Sequence, residues 1–105
     1  MGGMEQTLFQ IICNAGEARS LYVEAMRDVM KKEFAAARQK LKDGKKLLSE
    51  SHNVHFNLIQ DEAKGNKVEI GLLLVHAEDI MMSAETLGII AETMLDGNEA
   101  DDSEG

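Results

Sequence analysis

The chain has 105 residues, 19 acidic and 11 basic side chains, a formal net charge of −8, one cysteine, one tyrosine, and no proline or tryptophan. This length sets an expectation of one domain. The acidic balance argues against a nucleic-acid binder, which needs a basic footprint on phosphates, and a single thiol, Cys13, excludes an intrachain disulfide framework or a multi-cysteine metal site.

Residues 1–5 have neither the basic nor the apolar region of a signal peptide, and Gln6 breaks the myristoylation pattern. No run of about 18 apolar residues is present to span a membrane, so a soluble, cytoplasmic domain is expected. Residues 1–4 are expected to fray. Residues 5–96 are expected to form the folded domain. Apolar residues then recur at intervals of three and four, the spacing of helices. The first helix carries Leu8, Ile11, Ile12, Ala15, Ala18, Tyr22, Ala25, Met26 and Val29. A weakly marked break at residues 31–33 leads to the second, with Phe34, Ala37, Leu41, Leu48, His55, Leu58 and Ile59. Asp43-Gly44 could split that helix and give a four-helix alternative. Gly65 suits the C′ position of the second helix, and Asn66 suits the N-cap of the third, with Glu69 completing a capping box. The third helix carries Ile70, Leu73, Leu74, Ala77, Ile80, Met81, Ala84, Leu87 and Ala91. Residues 97–105 hold four acids and no large apolar group, so a disordered acidic tail is expected there. The fold class is all-α, a three-helix bundle.

Charge is segregated along the chain. Residues 27–46 carry eight basic and three acidic side chains, whereas residues 69–105 carry ten acids and no base. On a helical wheel the third helix confines Glu78, Glu85 and Glu92 to one narrow stripe. Most of the remaining circumference is apolar or small, including a second face of Leu72, Val75, His76, Asp79, Met82, Ser83, Thr86 and Ile90. A helix that is apolar nearly all round is a buried one. Two other helices of this size cannot enclose it, so several chains are expected to pack these faces together, with cyclic closure.

His76 and Asp79 lie on that second face, three residues apart and therefore neighbours. One reading is a core histidine paired with a local carboxylate. The other makes His76 a titrating nucleophile and Asp79 a group that orients it or holds a cation. Copies of Asp79 meeting around an axis would repel unless they bound a hard cation such as Mg²⁺. His52 and His55 have a spacing that could bind metal but lack a local acidic or thiol ligand. Met81, Met82 and Met94 suit core filling, the Lys-rich stretch of residues 31–46 suits a solvated face or an acidic partner, and Cys13 suits a small buried hydrophobe.

Three motifs then carry a resemblance. Ile11-Ile12-Cys13-Asn14-Ala15-Gly16-Glu17-Ala18-Arg19-Ser20, Leu58-Ile59-Gln60-Asp61-Glu62-Ala63 with the Gly65 turn, and Leu72-Leu73-Leu74-Val75-His76-Ala77-Glu78-Asp79 resemble, in order, segments of the lactose/cellobiose-type enzyme IIA family of the bacterial phosphotransferase system. The likeness spans residues 8–95. It implies an antiparallel three-helix bundle assembled as a homotrimer of nine helices. It implies that His76 accepts a phosphoryl group from phospho-HPr and passes it to a cysteine of enzyme IIB during disaccharide uptake. It implies that Asp79 binds a divalent metal, Mg²⁺ or similar, on the trimer axis. Two positions depart from the usual His-Ala-Gln-Asp-His pattern: Glu78 stands for glutamine and Ile80 for the second histidine. An ionised Glu78 would repel a phosphoryl dianion and points away from His76 on its own helix, so any such contact would be to another chain's site. These departures motivate an alternative, a regulatory or adaptor trimer with weakened transfer.

Overall fold

The computed structural model describes residues 3–104, with side chains through Asp102. It contains three helices, α1 (Gly3–Met30), α2 (Phe34–Ala63) and α3 (Leu72–Glu104), and no strand among the described residues. Ser51 reaches Ile11 across α1 and α2, and Lys40 reaches Asp28, which fixes those helices antiparallel. Gly16 faces Ile80 and Tyr22 faces Gly88, so α1 and α3 run parallel. The result is an elongated antiparallel bundle of 57 × 24 × 18 Å.

Both helix ends before a connection close by the same backbone device. At α1 the N–H of Glu33 donates to Asp28 C=O (2.9 Å) and that of Lys32 to Val29 C=O (3.0 Å). At α2 the N–H of Asn66 donates to Asp61 C=O (3.0 Å) and that of Gly65 to Glu62 C=O (3.0 Å). These paired bonds satisfy carbonyls that the helix leaves orphaned, and they require a left-handed residue at C′. Gly65 takes it freely at φ 93°, whereas Lys32 adopts φ 60° with a side chain attached.

Several sequence expectations change here. Asn66 serves the end of α2 instead of capping α3, and residues 66–71 form a non-helical connection. The chain leaving the Gly65 turn must cross the end of the bundle before it can run back along α2, and adjacent helix axes lie about 8–10 Å apart. Ile70, placed in that connection, is exposed instead of buried. Ile59 is also half exposed. Conversely, Asp43-Gly44 does not split α2, which is continuous. Gly3 and Met4 already belong to α1, while Met1 and Gly2 lie outside the described residues.

The core is built from small residues around one large ring. Ala15, Ala18, Ala25, Ala37, Ala77, Ala84 and Ala91 are buried with Leu8, Ile11, Val29, Leu41, Leu48, Leu58, Met81 and Leu95. Tyr22 of α1 is almost wholly buried between Gly44 of α2 and Gly88 of α3. A methyl group at Gly44 would sit 2.6 Å from Tyr22 Cε1, and one at Gly88 would sit 2.9 Å from Cε2. Both glycines therefore leave the room that the ring fills. Burial, and secondarily the Glu92 carboxylate, pushes the Tyr22 phenol above its ordinary range. Asp28 is a buried carboxylate near the C-terminus of α1, where the helix dipole disfavours it. Lys40 Nζ donates to it at 2.7 Å, and that hydrogen bond raises the lysine above its ordinary range.

The acidic tail is a correction of larger consequence. Residues 97–104 are helical and extend α3 by two turns, and Gly105 lies outside the described residues. The tail buries little apolar surface, but its carboxylates find partner charges across the bundle. Arg38 pairs with Glu99 and Lys32 with Asp102 (3.4 Å). Lys45 pairs with Glu92 (3.0 Å) and His52 with Glu85. Three of these pairs repeat every seven residues on both helices, about two turns, so the basic middle segment and the acidic third helix form one antiparallel seam. Each exposed pair contributes about 0–1 kcal/mol; together they occupy the edge that the tail would otherwise leave to solvent.

Two stability outcomes follow from this packing. Gly44→Ala or Gly88→Ala should lower unfolding free energy by about 1–2 kcal/mol, because overpacking costs about 1–3 kcal/mol and outweighs the gain of about 0.5–1 kcal/mol from a better helix former. Gly97→Ala, with nothing within 4 Å, should show that gain alone, and urea titration of the three variants distinguishes the cases. Separately, Lys32→Gly should raise the thermal midpoint, since a left-handed non-glycine residue costs about 1–2 kcal/mol and the lost surface pair returns less than 1 kcal/mol.

Candidate functional site

α3 presents two faces of different character. Ala77, Met81, Ala84, Gly88, Ala91 and Leu95 face the bundle. About a quarter-turn to half-turn away, Leu72 (86% exposed), Val75, Met82 (60%), Ile89 (67%) and Ile90 point into solvent. His76 and Asp79 stand on this outward apolar face, both exposed. A mostly apolar concavity of about 520 Å³ lies against His76, lined also by Leu72 and Leu73. His76 and Asp79 make no ion pair with each other or with another described residue. The reading of His76 as a satisfied core histidine with Asp79 as its partner is therefore not what the single chain builds. The structure brings the two together on one face and leaves both free to meet something outside the chain.

The other two histidines are spent internally. His52 Nε2 meets Glu85 Oε1, and His55 Nε2 meets Glu78 Oε1 at 2.5 Å. A carboxylate only accepts, so each Nε2 carries the shared proton. No group of three His, Cys, Asp or Glu residues that could hold a metal occurs among the described residues. The His52/His55 spacing thus serves two separate cross-helix pairs. Glu78 is half-buried against α2, paired with His55 and turned away from His76 on its own helix. It closes a small cavity of about 170 Å³ with His55, Leu58, Ile59, Glu62, Val68 and Leu74.

Cys13 is exposed, contrary to expectation. Two residues beyond Ile11 is about 200° of rotation, which turns the thiol away from the core that Ile11 enters. Met81 and Met94 pack in or against the core, as their spacing suggested, but Met82 lies on the outward face. No described helix is long and apolar enough to cross a membrane.

Comparison with known proteins decides the family. The sequence profile described as "PTS system, Lactose/Cellobiose specific IIA subunit" matches residues 6–99. The chain belongs to this family of phosphotransferase-system IIA subunits. The lichenan-specific phosphotransferase enzyme IIA component of Bacillus subtilis strain 168 is 41% identical over 93 residues, covering 89% of this chain and 84% of that protein. The N,N'-diacetylchitobiose-specific EIIA component of Escherichia coli K12 is 35% identical over 81 residues, covering 77% and 70%. The crystal structure of the PTS cellobiose-specific enzyme IIA from Bacillus anthracis superposes with a TM-score of 0.93 at 36% identity, covering 100% of this chain and 96% of that one.

This IIA component is accordingly a phosphotransferase with a phosphocarrier role, working with the other phosphocarriers of its system and with a IIB component. Its Glu78 is engaged by His55 within the same chain, which ties the first turns of α3 to α2. Removing either partner should cost little alone. A double-mutant cycle of His55→Ala and Glu78→Ala, read by urea unfolding, should give a coupling of about 0.3–1 kcal/mol that shrinks as salt is raised.

Proposed function

We propose that His76 is the phosphoryl acceptor of this IIA component, taking the group from phospho-HPr and giving it to a cysteine of enzyme IIB during uptake of a disaccharide of the lactose, cellobiose or chitobiose type. The observation that carries this reading is the placement of an exposed imidazole, without an ion-pair partner among the described residues, on an apolar face beside a concavity where a partner can dock. An imidazole nitrogen of His76 attacks phosphorus in line as the N–P bond to the donor imidazole breaks. Each imidazole keeps the proton on its other nitrogen, so no proton changes hands. The IIB thiolate then displaces the group by the reverse geometry, forming an S–P bond and releasing neutral His76. Little covalent work falls to the protein; positioning and charge stabilisation dominate.

The outward face of α3 supports a homotrimer of such bundles. Contiguous exposed apolar residues on this scale mark an interaction surface, and parallel copies of α3 packed around an axis would cover Val75, Met82 and Ile90. One chain offers a single carboxylate on that face, Asp79, and no group of three possible metal ligands occurs among the described residues. Copies of Asp79 from neighbouring chains fit a hard divalent cation such as Mg²⁺ by their oxygen chemistry. Such an ion would supply the positive charge that lets these carboxylates approach one another. The relatives named for lichenan and N,N'-diacetylchitobiose support a β-linked disaccharide class.

Incubation with enzyme I, HPr and phosphoenolpyruvate should label the chain, and His76→Ala should abolish the label. Labelling undiminished in that variant would exclude His76. Slow labelling of an intact trimer would favour the adaptor alternative. Native mass should give three chains, and Asp79→Asn should remove bound divalent metal by elemental analysis. Unchanged metal content in that variant would mean that Asp79 is not the ligand.

A further inference from the structure

The flank of α3 turned toward α1 opens into a groove of about 550 Å³, lined by Gly16, Val23 and Ile80 together with Arg19 and Arg27. Neither arginine makes an ion pair with a described residue. Glu24 is the one carboxylate of the lining, and its charge also acts on Lys40. The groove is therefore an apolar slot held between two cations.

The other flank of α3 has the inverse character. Met82 lies two residues, about 200° of rotation, beyond Ile80. Met82, Glu85, Ile89 and Glu92 follow one another at steps of three and four, so they share one stripe. Met82 and Ile89 are 60% and 67% exposed. Glu85 and Glu92 bind His52 and Lys45, yet their side chains stay 42% and 47% exposed. A carboxylate offers about four acceptor sites, so each retains room for a guanidinium.

The two flanks also match in height. Gly16 faces Ile80 and Tyr22 faces Gly88 on the parallel helices, offsets of 64 and 66 residues. Rotation about an axis parallel to the bundle leaves every height unchanged, so the same offsets relate α1 of one chain to α3 of a neighbouring copy. Gly16 then stands level with Met82, Arg19 with Glu85, Val23 with Ile89 and Arg27 with Glu92.

We propose that the α1–α3 groove is occupied by α3 of a second copy of this chain. Met82 of the second copy enters over Gly16 and Ile80, its Ile89 packs on Val23, and its Glu85 and Glu92 take Arg19 and Arg27. The contact is heterologous, groove to stripe, and each chain carries both halves on opposite flanks of α3, which is what a closed ring requires. Asp79 and Thr86 lie between the flanks and face the axis in that arrangement. The assignment rests on the trimer reading and adds the surfaces that build it.

The test uses the full chain on a Cys13→Ser background. Val23→Cys combined with Ile89→Cys should give covalent dimers and trimers on oxidation, read on a non-reducing gel, and either substitution alone should give none. Arg19→Glu should weaken assembly by about tenfold or more in sedimentation equilibrium, the scale for like charges forced together at an interface, while Lys46→Glu, on the exposed face of α2, should leave it unchanged. Helix content by circular dichroism should match the parent in both. A parent that is a trimer but gives no cross-link, or that tolerates Arg19→Glu, overturns the groove assignment and leaves the trimer standing. A parent that stays a single chain in native mass overturns both. Perturbation of the Arg19 and Val23 resonances by added HPr in the intact assembly would show a groove open to another protein and would also overturn it.

Discussion

The bundle is organised by one insertion, the ring of Tyr22 between Gly44 and Gly88. Helices lined by alanine can slide along one another with little change in contact, because small side chains make shallow ridges and grooves. A large ring that fits only where both neighbours lack a side chain removes that freedom. It fixes α1 against α2 and against α3 at one level, and the other pairings then fall into register: Ser51 under Ile11, Lys40 on Asp28, Ile80 beside Gly16. The seven-residue seam of Arg38, Lys45 and His52 with Glu99, Glu92 and Glu85 depends on the same alignment. A slip of one residue would rotate each carboxylate by about 100° away from its partner.

This division of labour leaves α3 with one face for each task. Its small and apolar face is enclosed by α1 and α2. Its glutamate stripe is absorbed by the basic residues and histidines of α2. The third face has no partner within the chain, and it carries His76, Asp79 and a run of exposed apolar side chains. The proposed trimer and the proposed phosphoryl site thus arise from one fact: a three-helix bundle of this length covers only part of its third helix. Apolar surroundings enclosed by the proposed assembly would also lower the local dielectric around the proposed acceptor imidazole, so stability and chemistry would draw on the same surface.

The departures from the usual family pattern gain a structural meaning. Glu78, which on sequence grounds threatened a phosphoryl dianion, is turned into the α2–α3 seam and held by His55. Its charge is directed away from His76 and used to anchor the start of α3 after the irregular connection of residues 66–71. Ile80 packs over Gly16 and floors the groove in which Arg19 and Arg27 stand unpaired. Positive charge on that side of the molecule therefore comes from α1 and not from α3.

The helix count, the break after Met30, the Gly65 turn, most core positions and the placement of His76 and Asp79 on a common face were all determined by residue spacing. These are properties of single helices, and a period of 3.6 residues is written directly in the chain. What spacing could not convey is which stripe meets which. The charges that pair with helical residues 97–104, Arg38 with Glu99 and Lys32 with Asp102, lie more than sixty residues away. The engagement of Glu78 by His55 and the opening of Cys13 to solvent depend on how helices are rotated against one another. Residue composition fixed how much charge each segment carries. Only the packing of three helices around one tyrosine decided which charges cancel and which, like those of Arg19 and Asp79, remain to act on something else.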